Sequence, residues 1–372
     1  MGRGRRRLFL RGLVLCMPSL LLGELAFATE SVPLFRATHL ANGDPVPLKL
    51  EIRADFSQIF GKRYGYGTDK RNRTRVPAEI RLVGPEAKHF PVVQLAELSG
   101  RGALRGNECP FTPLKIEFRG RPKAPSYFRG VDEIKVVTHC GKNVLDRKDS
   151  IQEQLLKEFT VYRLHALAAA PKSFQTRLVQ ARYIDTSGQH EDVSEYAIFV
   201  EDLSDLIRRL GVRRLFSEKD SHLKTFDESF LTTHISQFAP RKWVEMMFFQ
   251  TLVWNYDFEL GHNLKGIVTD EGWEPIPYDF DYAELFYRKS EEVPSELTML
   301  YPYHCLSRSQ VEKLVADYQA IAAEMVKLIE VTKLVSESFK DVAIRNIADA
   351  VRYLELMPRP ENSEELSPCP ER

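Results

Sequence analysis

The sequence predicts an α+β fold of two lobes, a β-rich lobe with one main helix followed by a mostly α-helical lobe. Three observations carry this. Short alternating apolar runs rich in β-branched residues fill the first third of the chain, helical periodicity dominates the last third, and a single strongly helical segment interrupts the strands. A composition of 43% hydrophobic, 28% charged and 10% aromatic residues over 372 positions suits a globular chain with a sizeable core rather than a disordered one.

Residues 1–28 are set apart. "MGRGRRRLFLRG" is a basic head, "LVLCMPSLLLGELAFA" an apolar segment, and Ala26-Phe27-Ala28 an A-x-A cleavage site. This is the pattern of an export signal peptide, too short and wrongly flanked for a membrane span. Arg6-Arg7-Leu8-Phe9-Leu10-Arg11 fits the twin-arginine pattern, and an ordinary secretory signal with a generous basic end fits the same residues. Without this segment 47 basic and 51 acidic residues remain, a net of −4, which gives no reason to expect nucleic-acid or anionic-membrane binding. No transmembrane segment is expected after signal removal, and the protein is expected to be periplasmic or extracellular. Four cysteines also remain, Cys109, Cys140, Cys305 and Cys369. No C-x-x-C spacing suggests zinc, and an oxidising compartment permits two disulfides in three connectivities. Cys109 and Cys140 flank two predicted strands and are the first candidate pair.

The β-rich lobe is assigned to 29–200. "VPLKLEIRADFSQIF", "AEIRLVGPEAKHFPVVQLAELSG", "LKIEFRG" and "EIKVVTHC" alternate and are parted by Gly, Pro and basic turns, as in an antiparallel sheet. "GKRYGYGTDKRNRTR" lacks G-x-G-x-x-G spacing and reads as a hairpin loop. Period 3.6 starts near "DSIQEQLLKEFTVYRLHALAAAP", where Leu155, Leu156, Phe159, Tyr162, Leu164 and Leu167 form an apolar face and Pro171 ends the helix. "TRLVQARYIDT" and "DVSEYAIFVEDL" return to strands. The helical lobe, 201–356, holds the strongly apolar helix "PRKWVEMMFFQTLVWNYD" and two amphipathic helices, "SRSQVEKLVADYQAIAAEMVKLIEV" and "SESFKDVAIRNIADAVRYLELM". Between them, two short strands surround a turn at "TDEGW". The polar, Pro-rich 357–372 reads as a disordered tail.

Segment 254–281, "WNYDFELGHNLKGIVTDEGWEPIPYDFD", sets acids and an Asn among apolar residues. Magnesium prefers hard oxygen ligands, and a nucleotide site supplies one or two carboxylates plus an amide oxygen while phosphates complete the shell. Asp257, Asn263 and Asp279 offer that set, with Asp281 as a further acid. In phosphoryl transfer one Asp takes the hydroxyl proton, an Asn shortly after it binds metal, and a second Asp beyond a hairpin chelates the metal on the phosphates. The order D-x5-N-x15-D reproduces this arrangement with slightly different gaps. The same chemistry asks for a strand lysine and a helix acid to orient it. Lys135 and Glu158 fit, with Lys115 as a competing lysine, while Arg101 and Arg105 could grip phosphate oxygens through their forked guanidiniums. His262 is read as structural rather than as a base. Singly, each residue has a plain structural explanation as a solvated strand lysine, a helix-surface acid, or a turn or capping residue. Their joint order points to chemistry.

These residues also carry a resemblance. "ELSGRGALR…PFTPLKIEF" resembles the RGR-(short gap)-K-x-Y-x-I-K-F segment of CotH-like spore-coat kinases. "NYDFELGHN" and "PIPYDFD" resemble their Asp…His-Asn and P-W-D-x-D elements. The chain looks closer still to exported bacterial proteins with RG-x-x-R…C-x-F-P-P-L…L-V-T-H-C and N-T-D-W…H-N…P-V-P-Y-D-F-D. The similarity spans 48–305. It implies a two-lobed atypical protein-kinase-like fold and ATP-dependent phosphate transfer to a protein or another cell-envelope molecule, with Mg²⁺ or Mn²⁺. Asp257 would be the catalytic-loop Asp, Asn263 and Asp279 metal ligands, and Asp281 a second acid at the metal. The chain departs from the kinase pattern in lacking a glycine-rich phosphate loop, in reading Asn255-Tyr256-Asp257 where H-R-D is usual, and in replacing D-F-G by Asp279-Phe280-Asp281. The alternatives are a catalytically inactive kinase-like binding module and, third, a hydrolase using Asp257 and Asp279 as a carboxylate pair. ATP is scarce outside the cytoplasm, and twin-arginine export would let the chain fold and bind nucleotide first.

Overall fold

Alternation along the first strands sets which side chains share an interior. In β1 (Leu48–Ala54) Leu48, Leu50, Ile52 and Ala54 are buried while the residues between them are not. β2 (Arg75–Leu82) repeats the pattern with Val76, Ala78, Ile80 and Leu82. β3 (Gln94–Gly100), β4 (Leu114–Phe118) and β5 (Glu133–Val137) continue the meander, each antiparallel to the one before. This part agrees with the sequence-based expectation. The computed structural model describes residues 34–35, 46–60, 73–102, 109–140, 151–215, 237–255, 257–258, 263–287 and 306–356. The signal-like segment 1–28, most of the glycine-containing loop, the tail 357–372, Arg105, His262, Cys305 and Cys369 lie outside these residues.

Local patterning did not reveal that the sheet closes. β6 (Thr176–Asp185) and β7 (Val193–Glu201) form a hairpin, β7 pairs with β5, and β6 pairs with β1, giving a seven-stranded barrel in the order β1-β2-β3-β4-β5-β7-β6. The β1–β6 pair is parallel, with Leu48 opposite Val179 and Ala54 opposite Asp185. The purely antiparallel expectation needs correction here for a topological reason. A ring with an odd number of strands cannot alternate direction throughout, so one pair must run parallel. The interior is filled by the inward residues of all seven strands together with Phe56, Phe111 and Phe128.

A second core forms around α1 (Ile151–Ala169) and the helices that follow. α1 is buried on nearly every side from Leu155 to Ala166, although the sequence suggested one apolar face. Packing on two surfaces explains this, because its apolar residues share a cluster with Leu178, Ile198 and Val200 and with α3 (Pro240–Leu252). Two of its buried polar residues are hydrogen-bonded, Arg163 donating to Thr332 Oγ1 (3.2 Å) and Thr160 Oγ1 to Leu156 O (2.8 Å). α2 (Leu203–Leu210) was not anticipated. Its start is capped by Asp202, whose carboxylate accepts from Ser204 N–H (2.8 Å), and its end by Gly211 at φ 67°, where a side chain would be strained. Two-residue β8 (Arg213–Arg214) edges the hairpin of β9 (Leu264–Thr269) and β10 (Gly272–Pro277). α4 (Arg308–Val331), opened by a Ser307–Gln310 capping box, and α5 (Glu337–Leu356) complete the fold. No helix among the described residues is long and apolar enough to cross a membrane.

Cys109 and Cys140 form a disulfide, as their flanking positions suggested, tying the chain before β4 to the chain after β5. Such a bond suits an oxidising compartment. Replacing both cysteines by Ser should lower unfolding free energy by about 2–5 kcal/mol, read as a lower urea midpoint that dithiothreitol reproduces in the wild type.

Candidate active site

The segment after α3 is held by side chains chosen for hydrogen bonding. Trp254 adopts φ 51°, a conformation uncommon for a bulky residue, and is fixed from two sides. Its Nε1 donates to Asn346 O of α5 (2.8 Å), and its carbonyl accepts from Glu284 N–H (3.0 Å). Asn346 also donates to Leu285 O (2.7 Å), linking α5 to the chain after Asp279. Asn255 is fully buried, donates through Nδ2 to Gln250 Oε1 (3.1 Å), and accepts at Oδ1 from Asp257 N–H (3.3 Å). Asn263 Nδ2 then donates to both Asp257 O (2.9 Å) and Asp257 Oδ2 (2.8 Å). The amide nitrogen of Asn263 is thus committed to Asp257, and its Oδ1 has no hydrogen-bond partner among the described residues.

The β9–β10 hairpin brings the third residue of the set alongside. Pro277 lies opposite Leu264, and Tyr278 N–H donates to Asn263 O (3.0 Å), so Asp279 follows directly after the residue that faces Asn263. Asp279 has φ 64°, and its N–H donates to Tyr162 Oη of α1 (2.9 Å). Strained backbone of this kind persists where the surroundings over-determine it, and it concentrates at functional sites. The next residue provides the anchor. Phe280 is 1% exposed and packs edge-on against Tyr162 (centroids 4.9 Å), His165 (5.6 Å) and Phe249 (5.8 Å). Asp281 follows, half-buried.

Across from these residues, Lys135 of β5 pairs with Asp202 (3.2 Å), and its Nζ lies 5.5 Å and 5.6 Å from the rings of Phe174 and Tyr278. Burial pushes its pKa below the ordinary lysine value, against the opposing pull of Asp202. The sequence suggested Glu158 as the partner of Lys135. The ion pair closes on Asp202 instead, because β5–β7 pairing sets Lys135 opposite Val200, two residues before Asp202. Glu158 is 4% exposed on α1, and its charge acts on Tyr162. Lys115 faces Lys135 directly in the β4–β5 register but pairs with Glu133 (2.6 Å) and Glu117 (3.1 Å). Burial opposes its charge, and these two acids outweigh that and raise its pKa. Burial and the neighbouring Asp202 push Glu133 up to about 7, while Lys135 and hydrogen bonds from Glu133 and Ser204 outweigh burial and hold Asp202 well below the usual carboxylate range. Arg101, at the end of β3, acts electrostatically on Lys135, Tyr278, Tyr162 and Lys265.

Sequence reasoning missed Asp202, Tyr162, Asn255 and Lys265. The signal for Lys265 was available, since it stands two residues beyond Asn263 in a predicted strand and so on the same face. Its Nζ lies 4.7 Å from the Tyr278 ring, and burial together with Arg214 pushes its pKa down to about 8. No three His, Cys, Asp or Glu side chains among the described residues gather as a metal site by themselves. What the hairpin brings together is the backbone of Asn263, which carries an amide oxygen, and the chain leading into Asp279, which carries a carboxylate. Those two ligand types fit Mg²⁺ or Mn²⁺, which completes its shell with phosphate oxygens and water.

No protein-family model matches the sequence, and no curated protein is significantly similar to it. Among solved structures the chain is similar to a Helicobacter pylori proinflammatory kinase, CtkA, at 12% identity and a TM-score of 0.36, covering 66% of this chain and 92% of that one. A Golgi casein kinase matches at 10% identity and a TM-score of 0.35, covering 84% of this chain and 74% of that one. The same kinase with Mn and ADP bound matches at 10% and 0.35, covering 84% and 73%. At that degree of likeness, any functional reading has to rest on this chain's own residues.

Proposed function

We propose that the protein is an exported atypical kinase with a two-lobed, kinase-like fold that transfers the γ-phosphate of ATP to a hydroxyl on a protein or another cell-envelope molecule. The observation that carries this is the bonding of Asp257 to Asn263, with Asp279 one register step away and the partly buried Lys135 beside Tyr278. In this reading residues 29–200 form the nucleotide-covering lobe and 201–356 the lobe that carries the chemistry. Asp257, oriented by Asn263 and Asn255, positions the attacking hydroxyl and accepts its proton. Asn263 Oδ1 and Asp279 hold Mg²⁺ or Mn²⁺, which supplies charge neutralisation at the transferring phosphate. Asp281 stands by as a further acid. Lys135 and Arg101 grip the other phosphates, and Glu158 lies on the helix whose Tyr162 fixes Asp279.

One observation favours a second reading, a catalytically silent binding module: Lys135 is engaged by Asp202. Labelled-ATP assays with Mn²⁺ or Mg²⁺ separate the two. Phosphate transfer to the protein itself or to an added acceptor is expected from the wild type. Lys135→Met should lose the activity and Lys115→Met should keep it. Absence of transfer with any acceptor and either metal supports the silent module, and equal loss in both lysine variants contradicts the assignment of Lys135.

A further inference from the structure

Two ammonium groups converge on a single aromatic ring, that of Tyr278, with Lys135 Nζ at 5.6 Å and Lys265 Nζ at 4.7 Å from its centroid. Their situations differ. Lys135 has Asp202 at ion-pair distance, whereas Lys265 has no ion pair or hydrogen bond among the described residues. Its charged surroundings, strongest first, are Arg214 of β8, the carboxylates Asp279 and Asp202, and Arg101 just after β3. Burying a cation without a counter-ion is costly, and the ring face returns only part of that cost. Arg101 likewise has no ion pair among the described residues, its backbone N–H alone being engaged by Pro113 O (2.7 Å). Among the described residues, two cationic side chains without an ion-pair partner, Lys265 and Arg101, thus share one electrostatic neighbourhood, and Lys265 lies on the face of β9 next to Asn263.

We infer that Lys265 is a phosphate-binding residue, which with Arg101 takes the charge of a polyphosphate chain that Lys135 also contacts. The inference rests on the phosphotransfer reading only in identifying that chain with a nucleotide's. A purely structural lysine, present to stack on Tyr278, is the competing outcome. Arg would preserve the positive charge and still offer N–H donors to phosphate, whereas Met would preserve the apolar stem alone.

The experiment is titration calorimetry of the folded wild type, Lys265→Met and Lys265→Arg with inorganic tripolyphosphate and, separately, with ATP. Loss of one charge-assisted phosphate contact should weaken tripolyphosphate binding by about tenfold or more in Lys265→Met, with Lys265→Arg close to wild type. If Lys265→Met fails to fold, Lys265→Gln takes its place. Wild-type affinity for tripolyphosphate in the Met and Gln variants overturns the inference and leaves the kinase reading standing on Lys135. Lys265-dependent tripolyphosphate binding without ATP binding supports the inference and counts against the kinase. Binding of neither ligand by the wild type overturns both.

Discussion

Replacing Asp257 by Asn should lower phosphotransfer kcat by about 10²–10⁴-fold, the range lost with a general base, while ATP affinity stays close to wild type. The substitution keeps size and shape. Asn263 Nδ2 can still donate to an amide oxygen where it now donates to Asp257 Oδ2 (2.8 Å), so the loop geometry should survive. What disappears is the negative charge to which the proposed mechanism assigns orienting the acceptor hydroxyl and taking its proton. Single-turnover phosphotransfer beside nucleotide titration checks this. A variant that loses ATP affinity as much as turnover would place Asp257 in nucleotide binding rather than at the acceptor.

The second large effect concerns the wall behind the site. Phe280→Ala should destabilise the fold by about 3–5 kcal/mol in urea unfolding, because it empties a closed apolar position. Phe280 is 1% exposed and touches rings from α1 and α3 at once. It also follows Asp279, whose φ of 64° is maintained by Phe280 on one side and by the Tyr162 hydroxyl on its N–H. Even at temperatures where the variant remains folded, metal-dependent activity should fall, since the Asp279 carboxylate loses the anchor that aims it. A loss of stability with full activity would separate the apolar wall from the site.

Much of this was legible in the chain, and the limits have physical causes. Local periodicity carries the strands of the meander, the hairpin at 264–277 and the long helices, because each buries a face set by its own repeat. Barrel closure depends on β1 pairing with β6 more than a hundred residues later, and nothing in either strand's alternation names that partner. Lys115 and Lys135 could not be told apart from sequence because they face each other on adjacent strands with similar flanks. Their counter-ions distinguish them: two acids on the open side for Lys115, one capping aspartate and two aromatic rings for Lys135. Asp202 itself reads in the sequence as an ordinary acid after a strand, and it gains its role only once β7 lies beside β5. The order Asp257, Asn263, Asp279 was legible because a hairpin is a local structure, and a hairpin suffices to bring Asn263 and Asp279 together.

Calorimetric titration of ATP into the wild type and Asp279→Ala, with and without Mn²⁺, tests the central claim most directly. The account predicts that Mn²⁺ markedly tightens ATP binding by the wild type and that Asp279→Ala abolishes this metal dependence. ATP binding of equal affinity in the two proteins, whether or not Mn²⁺ is present, would contradict it.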